Sequence, residues 1–363
     1  MVRVFVAFML LLLHSISSNA QCTFNCSKQD THSNKLLEQL SHRDISEGLR
    51  LEPYTVASLK EGRVQIVDST RDNTIKQVNL NISPGDCSQV WPAEKGSWND
   101  CDNGNERIGI NEEKLRKGKW WYTASLKLDK TSFTTKSETQ SHVNLLQWLD
   151  QDTDNGPPFN LLWFWEKPSA WYFKDINWPK NSLAIDNRIS DFGLKDPNDS
   201  NGGHTWSPLK IVASFEVDNS IMSNWLDFTA HANWTDKNNG WLIITLNGQI
   251  IYDYRGKTLE KNSNGVAFDV QLYRYGRRDS WQFGTPISGD TNMKMAVTRI
   301  GVFSDRKKLD RTREEFSLGA DMIEKALKKL PEGSASHQPS LSDFGDRYHG
   351  CELSIFCNPM PSN

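Results

Sequence analysis

Hydrophobic and polar residues alternate in short runs along most of this chain. "RVQIVDST", "IKQVNLNI", "KWWYTASLKL", "HVNLLQWLD", "FNLLWFWE", "WYFKDI", "KIVASFEV", "NWLDFTAHANW", "WLIITLNGQIIYDY", "GVAFDVQLYRY" and "MKMAVTRIGVFS" are rich in β-branched and aromatic residues, with Gly, Pro, Asn or Asp at their ends. That texture predicts β-strands. "LNGQ" predicts a hairpin, because Asn-Gly suits a type I′ turn. About eleven short strands without helices between them predict an all-β fold, a two-sheet jelly-roll sandwich of concanavalin-like form.

The pattern changes after Ser304. Leu309, Phe316, Met322, Ile323, Leu327 and Leu330 recur among charges at helical rather than alternating spacing, predicting an amphipathic helix over 305–330. Its charges read as a solvated face, and the helix either packs on the sandwich or projects from it. Residues 331–363 form a linker-like tail that ends in a cysteine pair. At the other end, 21–62 is a polar lead-in with a short helix around "SNKLLEQLSH", leaving 63–304 for the sandwich.

Residues 1–20 bear on the compartment. Arg3, an apolar run from Val4 to Leu13 and the small-residue end Ser18-Asn19-Ala20 have the layout of a cleavable secretory signal, too short to span a bilayer. A secreted, extracellular protein is therefore expected. The six cysteines then read as disulfide-forming: Cys22, Cys26, Cys87, Cys101, Cys351 and Cys357. Cys87 and Cys101 are expected to pair around the loop "CSQVWPAEKGSWNDC", while the connectivity of the other four stays open. Sequons at Asn25, Asn81, Asn198 and Asn233 fit N-glycosylation of such a protein.

Lys and Arg number 42 against 45 Asp and Glu, so no nucleic-acid partner is expected, and no later segment suggests a membrane span. Phosphate-loop and dinucleotide glycine motifs are absent, as is G-x-S-x-G, and no His cluster accompanies the cysteines. No cofactor is called for; a structural calcium stays open. Trp is abundant at 14 residues. Indole faces stack on sugar rings, and Trp91 and Trp98 in the Cys87–Cys101 loop are candidate stacking residues.

The run "GVAFDVQLYRY" raises the question of what an alternating Asp269, Gln271, Tyr273 row does on one strand face. Side chains at i, i+2 and i+4 share a face, so these three lie together, with Phe268, Val270 and Leu272 turned to the core. The row is either a solvated face or part of a binding site, and Tyr273 taken alone also reads as a buried sheet tyrosine with its hydroxyl satisfied.

Four pieces, in order from about Arg63 to Ser304, resemble the heparin-lyase-I-like polysaccharide lyases. They are "SPGDCSQVWPAEKGSWNDCDNGNERIGI", "HVNLLQWLD", "NWLDFTAHANWTDKNNGWLIITLNGQIIYDYRGKTL" and "VAFDVQLYR". The resemblance implies a secreted jelly roll that cleaves a uronic-acid-containing polysaccharide by β-elimination. It further implies a catalytic set of Tyr273, Gln147 and Arg107, with Gln271 and Asp269 among the substrate-binding positions. At the positions where the family carries His, Lys and Gly, this chain has Leu149, Asp269 and Gln271, and Gly109 falls where an acidic residue is expected.

Elimination requires removal of the proton beside a uronate carboxylate. Neutralising that carboxylate with Arg or an amide donor stabilises the enolate-like state. A base takes the proton and an acid protonates the leaving oxygen; a tyrosine beside cations can serve as either. Arg107 and Gln147 fit the carboxylate, and Tyr273 fits the proton transfers. His142 stands five residues before Gln147, an odd separation that puts it on the other face unless a bulge intervenes. His231 reads as structural, Trp148 as core, and Arg274 as a packing or ion-pairing residue by parity.

Two other readings compete. A glycoside hydrolase needs two carboxylates flanking the bond, and Glu216 with Asp218 is the nearest candidate. A non-catalytic carbohydrate-binding protein on the same scaffold would explain the absent His and Lys. Asp269 in place of Lys would repel a highly anionic polymer, which favours a substrate less charged than a sulfated one.

Overall fold

The computed structural model describes residues 63–73, 75–86, 106–111, 114–135, 142–150, 157–165, 181–189, 211–217, 222, 224–274, 291–312 and 316–329. The signal-like segment, the lead-in, all six cysteines, Trp91, Trp98, Asn25, Asn198 and Asp218 lie outside the described residues. So does "WYFKDI".

Two antiparallel sheets stack face to face. Among the described residues the first has seven strands, β1 (Val64–Asp68), β2 (Lys76–Ile82), β13 (Met293–Phe303), β4 (Gly118–Leu128), β9 (Leu226–Trp234), β10 (Trp241–Leu246) and β11 (Gln249–Arg255), in that spatial order. The second has six: β3 (Glu106–Asn111), β12 (Ala267–Arg274), β5 (His142–Leu149), β6 (Phe159–Phe164), β7 (Ser182–Asn187) and β8 (Ile211–Glu216). The expected all-β sandwich is the observed one. Strands β3 and β7 are not among the predicted runs, each sending only two aliphatic residues into the core between the sheets (Ile108 and Ile110; Leu183 and Ile185).

The core fills the space between the sheets. Phe268, Val270 and Leu272 of β12 face it, as their alternation predicts, together with Trp148 of β5 and Tyr122 and Trp234 on the opposing sheet. Tyr122 meets Trp148 edge-on at 5.9 Å between ring centroids, and the Trp234 Nε1–H donates to the Tyr122 hydroxyl at 2.6 Å. Satisfying the polar tip of a buried aromatic lets its large apolar body stabilise the core without an orphaned donor. Asn187 of β7 donates through Nδ2 to the Tyr252 hydroxyl of β11 at 2.8 Å, a polar tie from one sheet to the other. Burial holds the Tyr252 phenol well above its ordinary pKa and pushes Tyr254 up to about 12, so both remain neutral structural groups at physiological pH.

The β10–β11 turn has positive φ at both central residues, 48° at Asn247 and 81° at Gly248, as a type I′ turn requires. Two helices occupy the region where one is predicted: α2 (Arg306–Thr312) and α3 (Ser317–Lys328). A short α1 (Lys130–Thr134), capped by the Asp129 carboxylate on the Ser132 N–H, precedes them in the chain. The α2–α3 pair packs on the outer face of the seven-stranded sheet. There Leu309, Phe316, Ala320 and Ile323 bury themselves against Trp121, Ile243 and Phe303. Among the described residues, no helix is long and apolar enough to cross a membrane.

Candidate functional site

The outer face of the six-stranded sheet carries the candidate site, and one bulge decides which residues reach it. Along β5 the partner on β6 moves from Leu162 opposite Asn144 to Leu161 opposite Leu146, so Leu145 is an extra residue. Val143, Leu145, Leu146 and Trp148 all lie in the core. The inward phase therefore switches from odd to even numbers at Leu145, as an inserted residue demands. His142, Asn144 and Gln147 consequently share the outer face. The parity expectation that separated His142 from Gln147 is corrected by this bulge: the ring of His142 stacks on Phe164 of β6, with centroids 5.1 Å apart.

Tyr273 pairs in register with Arg107 on one side and Asn144 on the other. The Arg107 guanidinium lies 3.8 Å from the centroid of the Tyr273 ring. A guanidinium stacked this way lays its flat face on the ring, with its N–H groups in the plane at the edge. Four residues from Tyr273, Asp269 pairs with Gln147, and between them the Gln271 amide donates to Gln147 Oε1 at 2.8 Å. The geometry thus assembles Tyr273, Arg107, Gln147, Gln271 and Asp269 on one face.

That face is not solvated. Asp269 and Gln271 are fully buried, Gln147 is 2% exposed and Tyr273 3%. The bland reading of the alternating row, a water-facing surface, is excluded. Burying such polar groups is costly unless they are hydrogen-bonded, so this face demands partners. Their presence in a water-poor setting also makes each charge act more strongly.

The polar row extends further than the sequence suggests. Asn160 of β6 stands opposite Gln147, and its Nδ2 donates to the Asp186 carboxylate of β7 at 2.8 Å. Arg188 donates through Nε to the same carboxylate oxygen at 2.6 Å. Asn144 and Asn160 are both fully buried. A signal for them existed: "HVNLLQWL" and "FNLLWF" each carry an Asn inside a run of apolar residues, an unexpected place for an amide.

Parity assigns Arg274 to the opposite side from Tyr273, and there it forms a buried ion pair with Glu106 of β3 and donates to the Thr291 carbonyl at 2.5 Å. Glu106 also accepts from the Gly85 N–H at 2.5 Å. This network fixes β3 against β12, and with it the Arg107–Tyr273 pairing. Gly109 stands opposite Gln271, and a Cβ there would lie 2.5 Å from the Gln271 Cβ; the missing side chain is what lets Gln271 occupy the row. The side chain of Glu216 lies outside the described residues, as does Asp218, so the paired carboxylates of a hydrolase gain nothing from this geometry.

His231 belongs to the other sheet, on the face covered by α3, far from this row by topology. Trp148 is core. Of the two sequons within the described residues, Asn81 lies half-buried in β2 and Asn233 half-buried at the end of β9, its Nδ2 donating to the Asn239 carbonyl. Among the described residues, no cluster of three or more His, Cys, Asp or Glu could hold a metal ion.

Among solved structures, the endo-β-1,4-glucuronan lyase of the fungus Trichoderma reesei is similar over 68% of this chain and 89% of its own, at 12% identity and a TM-score of 0.41. An alginate lyase is similar over 67% of this chain and 84% of its own, at 9% identity and a TM-score of 0.37. A botulinum neurotoxin type C structure, described with two ganglioside molecules, is similar over 71% of this chain and 45% of its own, at 11% identity and a TM-score of 0.38. No curated protein matches the chain. A family model described as polysaccharide lyase matches residues 38–294, well over half of the chain and reaching from the lead-in into β13. The chain belongs to the polysaccharide lyase family.

Proposed function

We propose that this protein is a secreted lyase that cleaves a uronic-acid-containing polysaccharide by β-elimination at the outer face of the six-stranded sheet. The observation that carries the reading is the Arg107–Tyr273 pair, with the guanidinium 3.8 Å from the ring centroid and the Gln147 and Asn144 amides on the same face. In the proposed reaction the uronate carboxylate binds the edge of Arg107 and the amide N–H groups of Gln147 and Asn144. These donors neutralise the charge that builds as the C5–H bond breaks. In this step Tyr273 acts as the phenolate: its oxygen takes the C5 proton and passes it to the departing glycosidic oxygen, which regenerates the phenolate. A C4=C5 double bond forms as the C4–O bond breaks, and no water is consumed. The resemblance of the four sequence pieces quoted above to the heparin-lyase-I-like enzymes supports placing the chain near them within the family.

Leu149 and Asp269 favour a second reading, a protein that binds such a polymer without cutting it, because they stand where those enzymes carry His and Lys. Ultraviolet absorbance separates the two. Elimination leaves an unsaturated uronate that absorbs, whereas binding or hydrolysis leaves none. Incubation with glucuronan, alginate, pectate, heparan sulfate and heparin should give rising absorbance with a weakly charged polyuronate. Tyr273→Phe should abolish it while the fold melts unchanged. Saturable binding with no rise on any polymer would establish the second reading, and heparin as the tightest ligand would contradict the role given to Asp269.

A further inference from the structure

Beside the Arg107–Tyr273 pair, the polar row ends in hydrogen-bond acceptors. The Asp186 carboxylate can receive only an N–H from Asn160, so the orientation of that amide is fixed: Nδ2 is spent on Asp186 and Oδ1 points elsewhere. Asn160 is fully buried, and its Oδ1 has no hydrogen-bond partner among the described residues. On β12, Gln271 spends its Nε2 on Gln147 and is likewise fully buried, with Oε1 unmatched among the described residues. Two buried amide oxygens therefore flank Gln147 on adjacent strands, at the strand spacing of about 4.8 Å on either side. A buried acceptor without a donor is destabilising, and a fold that keeps two of them on the face bearing Arg107 and Tyr273 is prepared to receive donors there.

We infer that Asn160 and Gln271 form a subsite that accepts hydrogen bonds from free ring hydroxyls of the sugar next to the one whose carboxylate meets Arg107. The assignment rests on the lyase reading above and adds a substrate class to it. A carboxylate or an O-sulfate offers only acceptors, and it would face two amide oxygens with the Asp186 carboxylate behind one of them. An ester or ether on the ring hydroxyls removes the donor. The subsite therefore selects an unsulfated, unesterified polyuronate.

The test varies the ligand, so a misfolded variant cannot imitate the result. Calorimetry on the full-length Tyr273→Phe protein would compare a short oligoglucuronate with its O-methylated counterpart, which keeps the carboxylates and loses the hydroxyl donors. The inference predicts that the methylated form binds on the order of ten-fold or more weakly. Adding Asn160→Ala, with a melting curve to verify folding, should weaken the free oligomer and leave the methylated one little changed, shrinking the gap. Equal affinity for the two ligands would overturn the subsite alone and assign the two amide oxygens to bound water. No binding of either ligand, or of alginate oligomers, would sink the polyuronate reading and the subsite with it.

Discussion

His231 lies on the outer face of the seven-stranded sheet, 7% exposed, with its ring stacked on Trp121 at 4.0 Å and Trp241 set edge-on at 5.9 Å. Its Nδ1 is 2.9 Å from the Trp120 carbonyl, so the neutral ring carries its proton on Nδ1 and donates it there. Burial pushes the imidazole pKa down from 6.5 to about 4; the Trp120 hydrogen bond opposes this, and the nearby Lys119 ammonium adds to it. A second cation, Arg306 of α2, stands over the Trp121 ring at 5.9 Å, itself held by Asp310 and Asp321. With the folded value below the unfolded one, the unfolded chain takes up the proton first as pH falls. The contribution is fully present above about pH 6.5 and is lost progressively as pH drops toward 4. A depression of this size, at about 1.4 kcal/mol per unit, is worth on the order of 3 kcal/mol. That loss is expected at the sheet–helix seam, and denaturant melts at a series of pH values between 7 and 4 would read it. His231→Phe keeps an aromatic ring between the tryptophans and removes the titration. It forfeits about 1 kcal/mol at pH 7 with the lost hydrogen bond, and its stability should fall less steeply on acidification. Identical pH slopes in the two proteins would refute the reasoning, since carboxylates common to both contribute equally.

Three further substitutions probe the scaffold under the polar row. Glu106→Gln leaves Arg274 buried beside a neutral amide and is expected to cost about 3–5 kcal/mol in a urea melt; a loss below 1 kcal/mol would show that the pair does not anchor β3. Gly109→Ala forces its Cβ against the Gln271 Cβ, so about 1–3 kcal/mol of stability should go, and activity should fall with the displaced Gln271. Deleting Leu145 removes the bulge, keeps His142, Asn144 and Gln147 outward by plain alternation and slides Asn144 along β12 away from Tyr273, so activity should fall; a soluble, fully active deletion variant would contradict the register described for β5.

Much of the fold was legible because alternation reports burial directly. β12 is the clearest case: Phe268, Val270 and Leu272 against Asp269, Gln271 and Tyr273 gave both the strand and its faces. The same rule misled at β5, where strict parity put His142 on the wrong side. The phase change was visible in retrospect, for Val143 and Leu145 are apolar at odd positions and Leu146 and Trp148 at even ones. Strands β3 and β7 escaped notice since only two residues of each commit to the core between the sheets, and their pairing with neighbouring strands, not propensity, makes them strands. The burial of the polar row was not legible at all, because a hydrophilic alternation reads the same whether water or other protein faces it. Asn160 and Asp186 sit far apart in the chain and acquire meaning only when β6 and β7 pair.

The central claim is elimination at Tyr273, and the products of a single defined oligouronate test it most directly. Mass spectrometry of the fragments distinguishes the chemistries by whether a water has been added. The account predicts fragments whose masses sum to that of the intact oligomer, one of them carrying the unsaturated end, and no fragments from Tyr273→Phe. Fragments summing to the oligomer plus one water, or unchanged cleavage by the Tyr273→Phe protein, would contradict it.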